Sequence, residues 1–177
     1  MTEQTTNDQA PSTIRVRPAR PEDTATMVQF VKDLAVYEKE PVENVRINEA
    51  TLTQQLFGEN PAIFAHIAEE IDAAGNATSI GFALWFLNYS TWEGAHGIYL
   101  EDLFVQPAHR GKGAGKALLK QLATIAVERG YKRVEWCVLK WNTPSIEFYR
   151  SIGAFPMEEW DTFRLTDDAL AQFGGKA

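Results

Sequence analysis

Hydrophobic and polar positions change period along the chain, and each change marks an element. Ile14-Arg15-Val16-Arg17 alternates, which predicts a short strand. Met27, Phe30, Val31, Leu34 and Ala35 then recur at helical spacing. Pro21 suits the first turn of that helix, Glu22 and Asp23 favour its positive end, and the helix is predicted to stop near Lys39, ahead of Pro41. Asn48 reads as the N-cap of a second helix through Leu52, Leu56 and Phe57, ended by Gly58. Three strands are predicted next, over 62–69, over the almost wholly apolar and therefore central 79–87, and over 97–106. Residues 72–76 form the turn between the first two. A glycine-rich loop opens a long helix to Glu128 or Arg129, closed by Gly130. A strand over 133–139, a short helix over 144–151 stopped by Gly153, and two short strands near 154–157 and 161–165 complete the pattern. This order predicts a mixed α/β (α+β) architecture built on one sheet. Residues 1–13 are polar and aperiodic, so they read as a disordered tail, with 14–177 as a single domain.

Composition narrows the class. At 45% hydrophobic and 23% charged, the chain has the material for a real core. A net charge of −7 argues against a duplex nucleic-acid binder, which needs a basic face, and suits a small cationic partner. The one cysteine, Cys137, allows no internal disulfide and reads as a buried thiol in a strand. The N-terminal residues have no basic and apolar leader pattern, and no apolar run approaches the roughly 20 residues of a membrane span. A soluble cytoplasmic protein without a membrane partner is the expectation. His66, His96 and His109 lack ligand spacing with one another or with Cys137, so no metal site is expected. Trp85, Trp92, Trp136, Trp141 and Trp160 read as core or cleft wall, with Trp92 also able to stack against a cation.

The chemistry is concentrated at 109–119, which reads HRGKGAGKALL. A P-loop needs Gly, four residues, then Gly-Lys-Ser/Thr; here Gly115-Lys116 is followed by Ala117, and Arg110 stands at the first glycine's place. A dinucleotide fingerprint fails as well, because Lys116 or Leu118 falls where its last glycine belongs. What remains is Arg-x-x-Gly-x-Gly after a strand and opening a helix. Free N–H groups at such a helix start form an anion site, glycine lets a phosphate approach, and Lys112 and Lys116 add positive charge. The bland alternative is a strand-to-helix turn that needs glycine for positive φ.

Arg110-Gly111-Lys112-Gly113-Ala114-Gly115 resembles the acetyl-CoA pyrophosphate loop of the GNAT acetyltransferase superfamily. Tyr99-Leu100-Glu101-Asp102-Leu103-Phe104-Val105 resembles its central strand. Trp141-Asn142-Thr143-Pro144-Ser145-Ile146-Glu147-Phe148-Tyr149 with Gly153-Ala154 resembles its asparagine-to-tyrosine helix. Together with Ala35-Val36-Tyr37-Glu38 and Phe57-Gly58-Glu59, the set over roughly 14–166 is most similar to the diamine acetyltransferase subfamily. The resemblance implies a GNAT-type, mostly antiparallel mixed sheet flanked by helices, acetyl-CoA as cosubstrate and a homodimer. It implies a cosubstrate site of Leu103, Phe104, Val105, Arg110, Gly111, Lys112, Gly113, Ala114, Gly115, Lys116, Asn142 and Ser145. Asn142 would bind the pantetheine or cap its helix.

The implied reaction carries an acetyl group from a thioester to a primary amine by direct attack in a ternary complex. An amine with a pKa of about 10.4 is mostly protonated at neutral pH, so a group must take its proton and another must protonate the departing thiolate. Glu101 is the candidate acceptor, directly or through water, and Tyr149 the candidate acid. Strand alternation puts Leu100, Asp102 and Phe104 on one face and Glu101 and Leu103 on the other, leaving Asp102 to bind the ammonium or order water. Tyr37, Glu38, Trp92, Asp102, Glu158 and Glu159 are the implied substrate contacts. Ser90 stands where the polyamine-type pattern places an aspartate, which favours a short diamine or a lysine-like amino acid such as thialysine over spermine. A protein lysine or N-terminal acetyltransferase, and a non-catalytic acyl-CoA sensor, are the alternatives.

Overall fold

A computed structural model describes residues 12–175, so the expected tail lies outside the described residues except for its last two positions. The chain divides into two compact units, Met1–Cys137 and Val138–Ala177.

The first unit holds one five-stranded sheet in the order β1-β2-β3-β4-β5. Its strands are β1 (Thr13–Pro18), β2 (Phe64–Ile71), β3 (Ala77–Ser90), β4 (Ala95–Val105) and β5 (Val134–Glu135). The first four pair antiparallel, and β4 pairs β5 in parallel. Three helices join them: α1 (Thr24–Tyr37), α2 (Glu49–Phe57) and α3 (Ala114–Glu128). The helical spacing of Met27 and Phe30 turns them onto Ile67, Phe82, Leu84 and Phe104, with Leu52 and Leu56 of α2 closing the same core. Helix α3 packs across all five strands, burying Leu118, Leu122 and Ile125. Asn48 caps α2 as expected, its side chain accepting the Thr51 N–H at 3.0 Å.

A buried ion network ties the sheet to α1. Arg17 grips Asp23 through both terminal nitrogens, at 2.6 and 2.8 Å, and Glu69 through Nε at 2.8 Å. Asp23, read above only as a helix-dipole residue, is thus a structural anchor that also accepts the Arg20 N–H at 2.7 Å.

The second unit contains α4 (Thr143–Ser151) and α5 (Asp167–Phe173). Helix α5 was not anticipated, although Thr166-Asp167-Asp168 is a helix-start signature. The strands expected near 154–157 and 161–165 do not form. Pro156 lacks a ladder donor, and alternation makes a strand only where a neighbour completes the ladder; these residues join no sheet. The strand expected over 133–139 shrinks to Val134–Glu135, because β4 offers it partners only at Ile98 and Tyr99. Cys137 is consequently exposed rather than buried, with its thiol 3.2 Å from the Tyr99 hydroxyl. Trp85 is buried and Trp136 half-buried, whereas Trp92, Trp141 and Trp160 lie exposed rather than in the core.

Candidate active site

The glycine loop follows β4 and opens α3. Gly111 and Gly113 take left-handed φ values of +77° and +91°, so the chain itself needs glycine there. Gly113 is the N-cap and has no side chain to cap with. The first N–H of the helical ladder belongs to Ala117, which bonds Gly113 O at 2.9 Å. The N–H groups of Ala114, Gly115 and Lys116 therefore precede the ladder, at the positive end of a 15-residue helix.

Gly115 differs from the other two. Its φ lies outside the left-handed region, and an added Cβ would meet only Val105 Cγ2, at an ordinary 3.9 Å. Nothing among the described residues requires a bare backbone at Gly115, in a helix where alanine is the better residue. A group from outside the chain approaching that backbone accounts for it, and the residues fit an incoming diphosphate.

Strand β4 supplies a second element. Its pairing with β5 ends at Tyr99↔Glu135, while its pairing with β3 continues to Val105↔Gly81. Among the described residues no strand lines the outer edge of β4 from Leu100 to Val105, so outward backbone groups on that stretch are open to a ligand, apart from the Val105 carbonyl that Arg110 meets. The sequence alone could not show this open edge.

The two carboxylates of β4 do not follow simple alternation. Leu84 pairs Asp102 while Trp85 pairs Leu100, so Glu101 is an extra, bulged residue. Partners across a ladder share a face, which puts Asp102 and Phe104 with Leu84 and Phe82 beneath α1. Leu100 instead shares the opposite face with Trp85, a correction to the expected Leu100-Asp102-Phe104 stripe. Glu101 stands exposed at the bulge.

Asp102 is half-buried, and its carboxyl is pushed up to about 6, first by burial and then by the negative charges of Glu101 and Glu38. Glu38 is itself raised, by burial and by Glu40. It caps the C-terminal end of α1, where helix geometry places partial negative charge. The chain is turned there by Lys39 in the left-handed region, φ +65°, with Glu40 N–H closing on Ala35 O at 2.9 Å. None of the ion pairs among the described residues includes Glu38, Glu101 or Asp102. Three mutually repelling carboxylates without a cation favour a cationic ligand.

Arg110 joins this acidic corner to the glycine loop. Its guanidinium lies over the Tyr37 ring, 4.4 Å from the centroid, and its Nε–H donates to Val105 O at 2.9 Å. Lys112 is less available to a phosphate than its place in the loop implies, because its ammonium bonds Glu70 at 2.8 Å. His109 and Ser12 meet the same carboxylate, which these contacts hold down at about 2. No local pattern announces this clamp, since Glu70 is on β2 and its partners are distant in the chain. Lys116 is exposed on the first turn of α3.

Trp92 is not brought to the acidic corner. It sits 90% exposed in the turn between β3 and β4. Ser90 lies at the same tip, paired with Ala95 and six residues along β3 from the partner of Asp102, a span of about 20 Å.

In the second unit, Asn142 occupies the N-cap of α4 but makes no side-chain capping bond, so capping does not employ its amide. Ser145 is half-buried in the first turn of α4. Tyr149 is half-buried near the helix end, its ring 5.6 Å from that of Phe148. Glu158 and Glu159 are exposed in the turn beyond. Among the described residues, no group of three His, Cys, Asp or Glu is placed to hold a metal, and no helix is long and apolar enough to cross a membrane.

A helix start with free N–H groups follows a strand whose outer edge is open, and an acidic corner lies beside it. Residues 28–154 match the acetyltransferase (GNAT) family, and the chain belongs to that family. It is 33% identical over 171 residues to the thialysine N-epsilon-acetyltransferase of Sus scrofa, covering 93% of this chain and 99% of that protein. An L-ornithine N5-acetyltransferase of Arabidopsis thaliana is 43% identical over 99 residues, covering 56% of this chain and 43% of that protein. Among solved structures, an integron cassette protein from the mobile metagenome of V. cholerae superposes with a TM-score of 0.73 at 25% identity, covering 92% of this chain and 98% of that one. The protein is thus an acetyltransferase, similar in sequence to the diamine-type subfamily.

Proposed function

We propose that the protein transfers the acetyl group of acetyl-CoA to a primary amine of a short diamino acid or diamine, by direct attack in a ternary complex. Acetyl-CoA supplies the activated thioester. Gly111, Gly113 and Gly115 with the N–H groups of Ala114, Gly115 and Lys116 would hold its diphosphate, and the open edge of β4 over Leu103, Phe104 and Val105 would bind the pantetheine and acetyl carbonyl. Asn142 and Ser145 are assigned to the same cosubstrate.

Asp102 and Glu38 hold the ammonium of the amine, and Glu101 at the bulge accepts the proton that frees its lone pair, directly or through a water. Tyr149 donates to the departing sulfur. Tyr37, whose ring carries the Arg110 guanidinium, is assigned to a further substrate contact. Glu158 and Glu159 are assigned to further substrate contacts, while Trp92, at the hairpin tip, is not. The names of the thialysine and ornithine relatives support a substrate with a second charged end close to the reacting amine. A cytoplasmic homodimer completes the proposal, and sedimentation would test the dimer.

The observation that carries this function is Gly115, a glycine the chain has no internal need for. Gly115→Ala is therefore expected to leave the free protein as stable or up to about 1 kcal/mol more stable, while raising the KM for acetyl-CoA far more than that for the amine. A thiol-release assay with thialysine, ornithine, putrescine, spermine and a lysine peptide supplies the readout. Unchanged acetyl-CoA affinity in G115A removes the cradle. Turnover of the peptide alone makes the protein a protein acetylase, and no turnover of any acceptor makes it a sensor.

A further inference from the structure

The first unit contains a cavity of about 360 Å³ that the acyl-transfer site does not use. It opens where β1 runs out at Pro18 and Ala19, between the end of α2 and the last turns of α3. Arg129, which lines it, is the residue after α3 and stands 15 residues from Ala114, about 22 Å along the helix from the glycine loop. Trp85 alternates with Leu84 along β3, so it faces away from the side that carries Asp102.

The lining is not that of a packing void. Phe57, Phe64 and Trp85 provide aromatic walls, with the Phe64 and Trp85 rings stacked at 4.6 Å. His66, only 6% exposed, accepts the Trp85 indole N–H at Nδ1 over 3.2 Å. An indole nitrogen only donates, so the imidazole carries its own proton on Nε2. Burial first, and the positive charge of Arg129 second, press His66 down to about 4, which keeps the ring neutral. Gln121 adds an amide. The cavity thus combines aromatic walls with a guanidinium, an imidazole donor and an amide, and contains no carboxylate among its lining residues.

We propose that this cavity is a second ligand site, separate from the acyl-transfer site, for a small monocarboxylic acid with a planar apolar body, its carboxylate meeting Arg129 and its ring lying among Phe57, Phe64 and Trp85. The volume falls in the range of small-molecule sites and suits a single aromatic acid. A cation would be repelled by Arg129. A neutral ligand would forgo the charge-assisted bond, which contributes most of the orientation. The site stands independently of the acetyl-transfer function proposed above.

The probe is 3-phenylpropionate, titrated calorimetrically into the full chain, with 3-phenylpropan-1-ol and 3-phenylpropylamine as the uncharged and cationic counterparts. Saturable binding of the acid is expected, weakened roughly tenfold to a hundredfold both by Arg129→Gln and by exchange of the acid for the alcohol. Arg129 is exposed at the end of α3, so R129Q is expected to fold, with its thermal transition as the check. Gln121→Trp, which fills the cavity from α3, provides a second variant and should abolish binding. Acetyl-CoA should leave the affinity for the acid unchanged. No saturable binding at millimolar acid, binding that survives both variants in folded protein, or competition with acetyl-CoA would each overturn the proposal.

Discussion

Replacing Asp102 by asparagine should stabilise the protein, and by an amount that grows with pH. The carboxyl titrates at about 6 instead of its ordinary 3.8, because the fold buries it and sets it near Glu101 and Glu38. At ~1.4 kcal/mol for each pH unit, the ionised form is disfavoured in the folded protein by about 3 kcal/mol. The sign follows from a raised acid: stability is fully present below pH 3.8, falls as the pH rises through 6, and stays low above. D102N has no charge to disfavour. Its advantage over the parent should be small near pH 3.5 and reach about 3 kcal/mol by pH 7.5, or roughly 6 to 12 °C in Tm for a chain of this size.

The comparison has to be between the two proteins. His66, pressed down to about 4 from 6.5, costs stability as the pH falls through nearly the same window, so the parent profile alone conceals both effects. Urea unfolding of both proteins from pH 3.5 to 8 isolates Asp102, since every group common to both cancels except its coupling to Glu101 and Glu38. A difference that stays flat across the range would refute the raised carboxyl and the electrostatic account of the acidic corner. The same variant should raise the KM for the amine and not that for acetyl-CoA, because the charge that strains the free protein is the one assigned to the ammonium.

Tyr149→Phe should lower kcat by roughly a hundredfold with little change in acetyl-CoA affinity; full retention of kcat would mean that water protonates the sulfur. Arg17→Met should destabilise by roughly 3 kcal/mol in urea unfolding at neutral pH, because it leaves Asp23 buried without its cation and Glu69 with Arg15 alone; a loss below ~1 kcal/mol would count against the network. Ser90→Asp, placed at the hairpin tip and not beside Asp102, should change kcat/KM for spermine by less than about twofold, with a lysine-like amine preferred by both proteins; a selective gain for spermine would show that the tip meets substrate.

Most elements were legible because each depends on a local period that its own residues carry. The core face of α1 is an example: Met27 and Phe30 point where the 3.6-residue repeat sends them. The start of α3 at the glycine loop was legible too, since a helix start depends only on the residues that form it. What escaped depends on residues distant in the chain. The Glu70 clamp joins β2 to the loop, and the anchor of Arg17 joins Asp23 to Glu69; no local pattern announces either. The segments over 154–157 and 161–165 show the converse failure, where alternation was present and the neighbouring strand was not.

Glu101 shows why one missing fact about register matters to chemistry. A period of two assigns Leu100 and Asp102 to the same face, and it does so for any sequence. One extra residue opposite Trp85 separates them, so Leu100 goes to the face beneath α3 while Asp102 turns to α1 and Glu38. Bulges bend a strand and disrupt its ladder locally, and this one falls just past Tyr99, where pairing with β5 ends. The irregularity that defeats the alternation is therefore the feature that gathers the acidic corner. It leaves Glu101 exposed, buries the neighbouring carboxylate enough to raise it, and lies on the stretch of β4 with no outer neighbour. A regular strand with the same residues would place Asp102 on the face beneath α3, away from Glu38, and the acidic corner would not form.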